Sequence, residues 1–479
     1  MIDMNPLFYP DSVAVIGASP NVVRDRAGFF NSLRQRYPGR LYAVNPKYDE
    51  IHGTACYPSI KDIPERIDYA LIMVPNKAVL PVLTECVEAK TRFVLIFTSG
   101  FSEAGNDELE NRLKKVIEGS ETRVIGPNCI GVHCPESGVI FYPEMAVDAP
   151  GTIGYFSQSG GHALNFVIRG ISMELEFNKV ASIGNQMDLK VEDYLEYFAG
   201  DDRIKFICGY VEDIKNGERF KELAAKAVLE NKKPLIIWKG GRSEAGARAT
   251  ASHTGAIAAP IRVWDAVMDQ LGVISAENQE ELADILLAFK CGFLPTGTNT
   301  CIAVAGGGSS VELTDGASLN GLTVPPIAED IQEIIAKDIS SVNTSTKNPI
   351  DLGMFGFAPN IFVNAAVQAA KDPNIDIIMV CQYPEMIKTM VKDLWEASVN
   401  MIVDGLKTVD KPVVMIIPRL FQNNAETEAA RGEFVHMLTR AGIPSYPTAD
   451  RAAKVAVKLI NYRRFLESKG VTPPARGAA

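Results

Sequence analysis

The sequence has no excess of positive charge, no C-x-x-C cysteine pair, no long apolar run and no G-x-x-x-x-G-K-[ST] loop, and each absence removes a class of function. Lys and Arg together number 48 against 58 Asp and Glu, a formal charge of −10. That balance argues against nucleic acid or an anionic membrane as the main partner. An anionic ligand must then be held locally, by backbone N–H groups and a few placed cations. The eight cysteines include no C-x-x-C pair. Cys129 and Cys134, with His133 between them, do not complete a zinc pattern. Reduced, buried thiols in a cytoplasmic protein are therefore expected. No apolar run approaches the length that spans a bilayer, and residues 1–13 lack the charged and apolar regions of a signal peptide. The phosphate loop G-x-x-x-x-G-K-[ST] is also missing.

What is present is alternation. At 479 residues, 47% apolar and 22% charged, the chain exceeds what one core usually organises. Short β-branched runs recur between amphipathic stretches, the pattern of parallel α/β sheets. They fall at 13–16, 41–44, 69–74, 93–97 and 123–125; at 153–156, 179–183, 206–211, 234–238 and 273–275; and at 301–305, 322–324, 375–381, 412–417 and 443–446. Three groups of strands predict three doubly wound parallel-sheet domains in series, at 1–134, 150–291 and 298–467. Pro- and Gly-bearing connectors near 135–150 and 293–297 mark the seams. In such sheets function gathers where the chain leaves the C-terminal ends of the strands.

The first strand leads into Gly17-Ala18-Ser19, and a helix follows from about Gly28, an arrangement that lets a phosphate approach backbone N–H groups. The full G-x-G-x-x-G is absent. The second strand ends Val44-Asn45-Pro46-Lys47, where an NAD-binding fold carries a carboxylate for the ribose. Lysine there favours an extra phosphate, as on CoA or NADP, and charge alone leaves both open. Later exits read Val74-Pro75-Asn76, Thr98-Ser99-Gly100-Phe101-Ser102-Glu103 and Gly126-Pro127-Asn128-Cys129-Ile130-Gly131. In this order the motifs V-I-G-A-S, V-N-P-K, G-F-S-E and G-P-N-C-I-G resemble the CoA-binding domain of ADP-forming acyl-CoA synthetases and succinyl-CoA synthetase alpha subunits. The resemblance implies a Rossmann-like CoA-binding domain followed by two flavodoxin-like domains. It also implies that Gly17, Ala18, Ser19 and Lys47 contact CoA phosphates, while Val74, Pro75, Thr98 and Ser99 line the pantetheine path.

In the second group, the strand at 153–156 exits into Ser157-Gln158-Ser159-Gly160-Gly161 and a helix-compatible run. Small hydroxyls and glycines opening a helix form an anion site, with free N–H groups and a favourable dipole. The strand at 206–211 ends at Glu212 on the same edge. After 234–238 comes 239–256, rich in Gly, Ala and Ser with almost no large apolar anchor, a composition suited to a loop that moves. It holds His253. Neutral imidazole is a competent nucleophile towards phosphorus, and a carboxylate on its other nitrogen fixes the tautomer; Glu212 is the candidate. The stretch G-R-S-E-A-G-A-R-A-T-A-S-H-T-G-A closely resembles the active-histidine loop of NDP-forming acyl-CoA synthetases, which implies that His253 is transiently phosphorylated. His162 replaces the family's commoner small or apolar residue, as a substrate-shaping group or a tolerated variant.

The third group opens with Gly306-Gly307-Gly308-Ser309-Ser310, a possible further phosphate loop. Asn348-Pro349-Ile350-Asp351-Leu352 matches the family's N-P-[VI]-D-L, and the resemblance implies a docking or scaffolding domain. The family also uses an ATP-grasp domain, which no segment here resembles. A separate ATP-grasp beta subunit is therefore expected to bind Mg²⁺ and ADP or ATP in a hetero-oligomer, while this chain handles CoA, inorganic phosphate and an acyl-CoA or carboxylic acid. Two alternatives stand beside this expectation: a non-catalytic acyl-CoA-binding regulatory module and an NADP-dependent dehydrogenase.

Overall fold

The computed structural model describes residues 2–20, 28–142, 145, 150–254, 261–390, 392–420 and 423–473, with the side chains at 251–254 and 392 outside the description. It divides into two compact units, Met1–Leu282 and Ala283–Ala479. Among the described residues no helix is long and apolar enough to cross a membrane. All eight cysteines are free and seven of them are buried.

The first unit contains two sheets. Strands β1 (Ser12–Ile16), β2 (Arg40–Val44), β3 (Glu50–Ile51), β4 (Thr54–Tyr57), β5 (Tyr69–Ile72), β6 (Phe93–Ile96) and β7 (Arg123–Ile125) form a sheet in the order β3-β4-β2-β1-β5-β6-β7. All pairings are parallel except β3 with β4. Every residue of β1, β5 and β6 is buried, because helices cover both faces of a parallel sheet and leave no polar side. Strand order reverses between β1 and β5, so the Gly17, Pro75 and Thr98 exits share one crevice.

β8 (Gly131–His133), β9 (Ile153–Ser157), β10 (Phe177–Ser182), β11 (Phe206–Val211), β12 (Leu235–Lys239) and β13 (Ile274–Ala276) form the second sheet, ordered β13-β12-β11-β9-β10-β8. β9 to β13 follow the flavodoxin-like order, with the switch point between β9 and β11. β8 is an antiparallel edge strand on β10. It follows directly on the G-P-N-C-I-G segment, so the chain passes from the end of the first sheet to the edge of the second. Segment 185–189 closes the seam: Asn185 and Met187 N–H donate to the carbonyls of Pro127 and Gly126 at 3.0 Å each. The Arg123 guanidinium takes both Asp188 oxygens at 2.9 and 2.7 Å.

Lys179 is fully buried on β10. It donates to Asp201 and Asn178 at 2.6 Å each and lies 4.9 Å from the centre of the Tyr9 ring. His133 is an equally buried neighbour: its Nδ1 accepts from the Phe141 N–H at 3.3 Å, and burial lowers its pKa to about 3. It is a neutral core histidine.

The second unit holds β14 (Thr300–Val304), β15 (Ile350–Asp351), β16 (Ile377–Cys381), β17 (Val413–Ile416) and β18 (Ser445–Tyr446), all parallel in the order β15-β14-β16-β17-β18. Here one strand expectation fails. Segment 322–324 contributes only a single parallel bridge, Thr323 with Asn299, because Pro325 and Pro326 have no N–H to extend a ladder. Asn348 takes the vacant ladder positions: its amide donates to the Thr300 and Pro325 carbonyls and its oxygen accepts from the Ile302 N–H. β15, inside the N-P-I-D-L motif, then supplies the strand. The same motif occupies the glycine-rich turn, since Asp351 Oδ1 accepts from Gly306 N–H at 3.0 Å and Gly353 N–H at 2.9 Å. The protein's own carboxylate thus sits at the amide where an external anion would approach.

Candidate active site

The helix Gly160–Ser172 begins just past the end of β9, after the Gln158-Ser159 turn. Ser159 is the N-cap, its hydroxyl accepting from the His162 N–H at 3.3 Å. The Ser157 hydroxyl donates to the Ser159 carbonyl at 2.7 Å and accepts from the Ser159 N–H at 3.2 Å, shaping the turn. That leaves the N–H groups of Gly160 and Gly161 without an acceptor among the described residues, at the positive end of the dipole. They open into a cavity of about 580 Å³ that is lined on the other side by Pro75, Thr98 and Ser99. The two strand edges of the first unit therefore face one space.

The first sheet frames that space closely. Gly17 has φ +91°, and a Cβ there would lie 2.8 Å from the Met73 carbonyl, so only glycine lets β1 and β5 exit side by side. The Ala18 carbonyl accepts from the Asn45 amide at 2.8 Å, and Ser19 is buried. The Thr98 hydroxyl donates to the Val74 carbonyl at 2.5 Å. Lys47 is exposed, with no ion pair among the described residues. Residues 21–27 lie outside the described set.

Glu212 occupies the second cavity, of about 840 Å³, which shares Gln158 with the first. The carboxylate is buried, one oxygen accepting from the Tyr210 hydroxyl at 3.0 Å while Oε2 has no hydrogen-bond partner among the described residues. Burial, and then the Glu212 charge, push the Tyr210 phenol well above its ordinary value, so it stays a donor. Gly240 permits this bond, because a Cβ there would lie 2.5 Å from the Tyr210 hydroxyl. Gly240→Ala is expected to displace the Tyr210 hydroxyl from Glu212 and to destabilise the protein by about 1–3 kcal/mol, the cost of losing one hydrogen bond to a buried charge, read as a drop in the urea midpoint.

The main chain around Glu212 is clamped. Gln158 Oε1 accepts from the N–H groups of Glu212 and Asp213, and its Nε2 donates to the Asp213 carbonyl at 2.5 Å. Buried Lys239 donates to the carbonyls of Glu212 at 2.8 Å and Gly240 at 2.7 Å. Burial lowers the Lys239 ammonium, partly offset by Asp213 and Glu212. The His162 ring packs against Tyr210 and Trp238, 4.7 Å from each. Burial lowers its pKa, against the pull of the Glu212 charge. Among the described residues no group of three His, Cys, Asp or Glu is disposed to hold a metal.

Known proteins carry the same three-part organisation. Residues 11–135 match a CoA binding domain, residues 150–289 a succinyl-CoA ligase like flavodoxin domain, and residues 300–469 a Ligase-CoA domain. The alpha subunit of ADP-forming acetate–CoA ligase II from Pyrococcus furiosus is 32% identical over 95% of this chain and 96% of that protein. The chain belongs to the ADP-forming acyl-CoA synthetase alpha-subunit family. The ADP-forming acetate–CoA ligase II of Archaeoglobus fulgidus is 31% identical over 96% of this synthetase chain, which spans 67% of that longer protein. Among solved structures, dinucleotide forming acetyl-coenzyme A synthetase 1 of Ca. Korarchaeum cryptofilum, in complex with phosphate and ADP, superposes with a TM-score of 0.80. It is 31% identical, covering 96% of this chain and 97% of that one.

Within the synthetase chain the sequence-predicted residues divide into two sets. Pro75, Thr98 and Ser99 come together with Ser159, Gly160 and Gly161 around one cavity. Gln158, expected to hold phosphate, lines both cavities and binds the backbone beside Glu212 through its carboxamide. The stretch expected to be a loop forms a helix, Glu244–Thr254. Four alanines favour it, and the Ser243 hydroxyl accepts from the Gly246 N–H at 3.0 Å in the manner of a cap. That helix packs against the turn Ser102–Ala104, which borders the Glu212 cavity. His253 lies near its end, with its side chain outside the described residues. Tyr210 and Lys239 were missed by sequence reading. Their only local signal is a position at a strand's C-terminal end.

Proposed function

We propose that this chain carries out the acyl-CoA half of an ADP-forming acyl-CoA synthetase reaction, with His253 as the phosphoryl carrier. The observation that carries the reading is the cavity shared by the exits at Pro75, Thr98 and Ser99 and by Gly160 and Gly161, whose N–H groups have no acceptor among the described residues. Phosphate held by those amides attacks the thioester carbon, the C–S bond breaks, and CoA leaves as acyl phosphate forms. His253 then attacks phosphorus, releasing the carboxylate and forming a P–N bond, so one hard transfer becomes two easier ones. Glu212 Oε2, without a partner among the described residues, accepts the imidazole N–H, fixes the tautomer and stabilises the positive charge that develops.

Phosphohistidine finally returns its phosphoryl group to ADP on a separate ATP-grasp beta subunit, where Mg²⁺ and nucleotide bind. Two facts support a partner: the relatives spanned end to end are named alpha subunits, and a longer relative extends beyond this chain. The free, mostly buried thiols fit a reducing cytoplasmic setting. Family membership also leaves the dehydrogenase alternative without support.

The test is incubation of the purified chain with a panel of acyl-CoA thioesters and ³²P-phosphate. Acid-labile, alkali-stable label mapping to His253 is the expected result. No label from any thioester, with the ATP-grasp partner present and CoA bound, overturns the reading in favour of a regulatory acyl-CoA-binding module.

A further inference from the structure

We propose that Phe97 and Ile130 form the wall that measures the acyl group, admitting short uncharged chains and rejecting dicarboxylic ones. The inference rests on the reading above, that thioester and phosphate meet in the cavity of about 580 Å³. With Pro75, Thr98 and Ser99 on the CoA side and Ser159, Gly160 and Gly161 on the phosphate side, the acyl substituent must face what remains. Those residues are Asn76, Phe97, Asn128, Cys129, Ile130 and Gln158.

The polar members of that group offer no charge. The Gln158 carboxamide is spent on the backbone at 212–213. Asn128 donates to the Asn185 side-chain oxygen at 3.5 Å. Burial pushes the Cys129 thiol well above its ordinary range, and it points to the Ile96 carbonyl at 3.9 Å. The two apolar members are held at fixed positions. Phe97 meets Phe29 edge-on at 5.8 Å between ring centres, with Phe29 itself buried. The Ile130 N–H donates to the buried Ser182 hydroxyl at 3.2 Å. Ile130 Cγ2 lies 3.3 Å from where a Cβ on Gly160 would sit, so its methyl abuts the residue whose N–H faces the phosphate. An alkyl chain on the reacting carbon thus runs against a rigid apolar wall. A second carboxylate there would be desolvated with no cation among the described lining residues.

Arsenolysis tests the wall without requiring the phosphohistidine step. Arsenate displaces CoA to give an acyl arsenate, which water splits to carboxylate and arsenate, so free thiol reports each turnover. The full chain is assayed with acetyl-, butyryl-, hexanoyl-, phenylacetyl- and succinyl-CoA, as wild type, Phe97→Ala, Phe97→Leu and Ile130→Ala. Wild type is expected to use butyryl-CoA about 100-fold better than succinyl-CoA in kcat/KM, and a methylene in an apolar pocket changes kcat/KM by about tenfold or more. Phe97→Ala and Ile130→Ala should each raise the hexanoyl-to-acetyl ratio at least about tenfold. Phe97→Leu keeps the contact with Phe29 and should shift the ratio in the same direction by less, which guards against a folding defect in the alanine variant. An unchanged ratio in all three variants, with CoA affinity intact, overturns the wall; so does efficient use of succinyl-CoA by wild type. No thiol release by wild type from any thioester, with the ATP-grasp partner present, overturns the underlying functional reading and the wall with it.

Discussion

Replacing His253 by alanine is expected to abolish acid-labile phosphoryl label on the chain, while CoA still binds and arsenate still cleaves the thioester. The two outcomes separate because the described residues that line the cavity, Thr98, Ser99, Gly160 and Gly161 among them, are left in place by the substitution. Glu212→Gln should retain the label but slow its appearance by about 100-fold or more. The side chain keeps its shape, yet either it presents an N–H to the imidazole or it loses the acceptor that holds it, and the positive charge forming on the ring goes uncompensated in a buried site. Tyr210 already occupies the other carboxylate oxygen, so Oε2 is the atom whose loss is read. Quenched-flow labelling measures the rate. An unaltered rate in the Glu212 variant removes that residue from the mechanism, and label retained by the His253 variant removes the carrier assignment.

The second large effect falls on stability. Asp201 is bound by Lys179 at 2.6 Å and by both arms of Arg203 at 2.9 Å. Burial alone would raise its carboxyl; the Arg203 fork and the Lys179 ammonium outweigh it and hold Asp201 well below the usual carboxylate range. Lys179, with no exposed surface, is in turn lowered by burial more than Asp201 raises it. Both directions describe one pair, in which the lysine bears the larger desolvation cost. Asp201→Asn should leave that ammonium buried without its counter-ion and cost about 3–5 kcal/mol, read as a drop in the urea midpoint of the first unit.

The pH dependence has a definite sign. A depressed carboxyl contributes stability above its unfolded pKa of about 3.9 and loses it as pH falls towards the folded value. Wild type should therefore begin to lose its advantage over Asp201→Asn as pH falls below about 4, and lose more of it on further acidification. A gap between the two that stays constant from pH 6 to pH 3 contradicts the assignment.

Sequence alone determined the sheet class and most of the strands, because β-branched runs such as Ser12–Ile16 and Phe206–Val211 carry their burial in their composition. It also singled out strand exits that line the two cavities, since parallel α/β sheets open their crevices at the strands' C-terminal ends. The helix Glu244–Thr254 was legible too, in its alanines and the Ser243 cap, had propensity been weighed above the lack of anchors. Other features were not local. β15 replaces 322–324 because Asn348, far along the chain, fills the edge of β14, and β8 pairs with a strand of the following sheet.

Only the tertiary structure decided that Gln158 serves the backbone beside Glu212, and that Asp351 occupies the Gly306 turn. The same holds for Tyr210 and Lys239, which complete the surroundings of the carboxylate. Each depends on which hydrogen-bonding groups meet across strands, and a buried polar group takes whatever partner the packing brings within 3 Å or so. Residue type and spacing fix what a side chain can do, whereas the partner it finds is set by how the sheets close on one another.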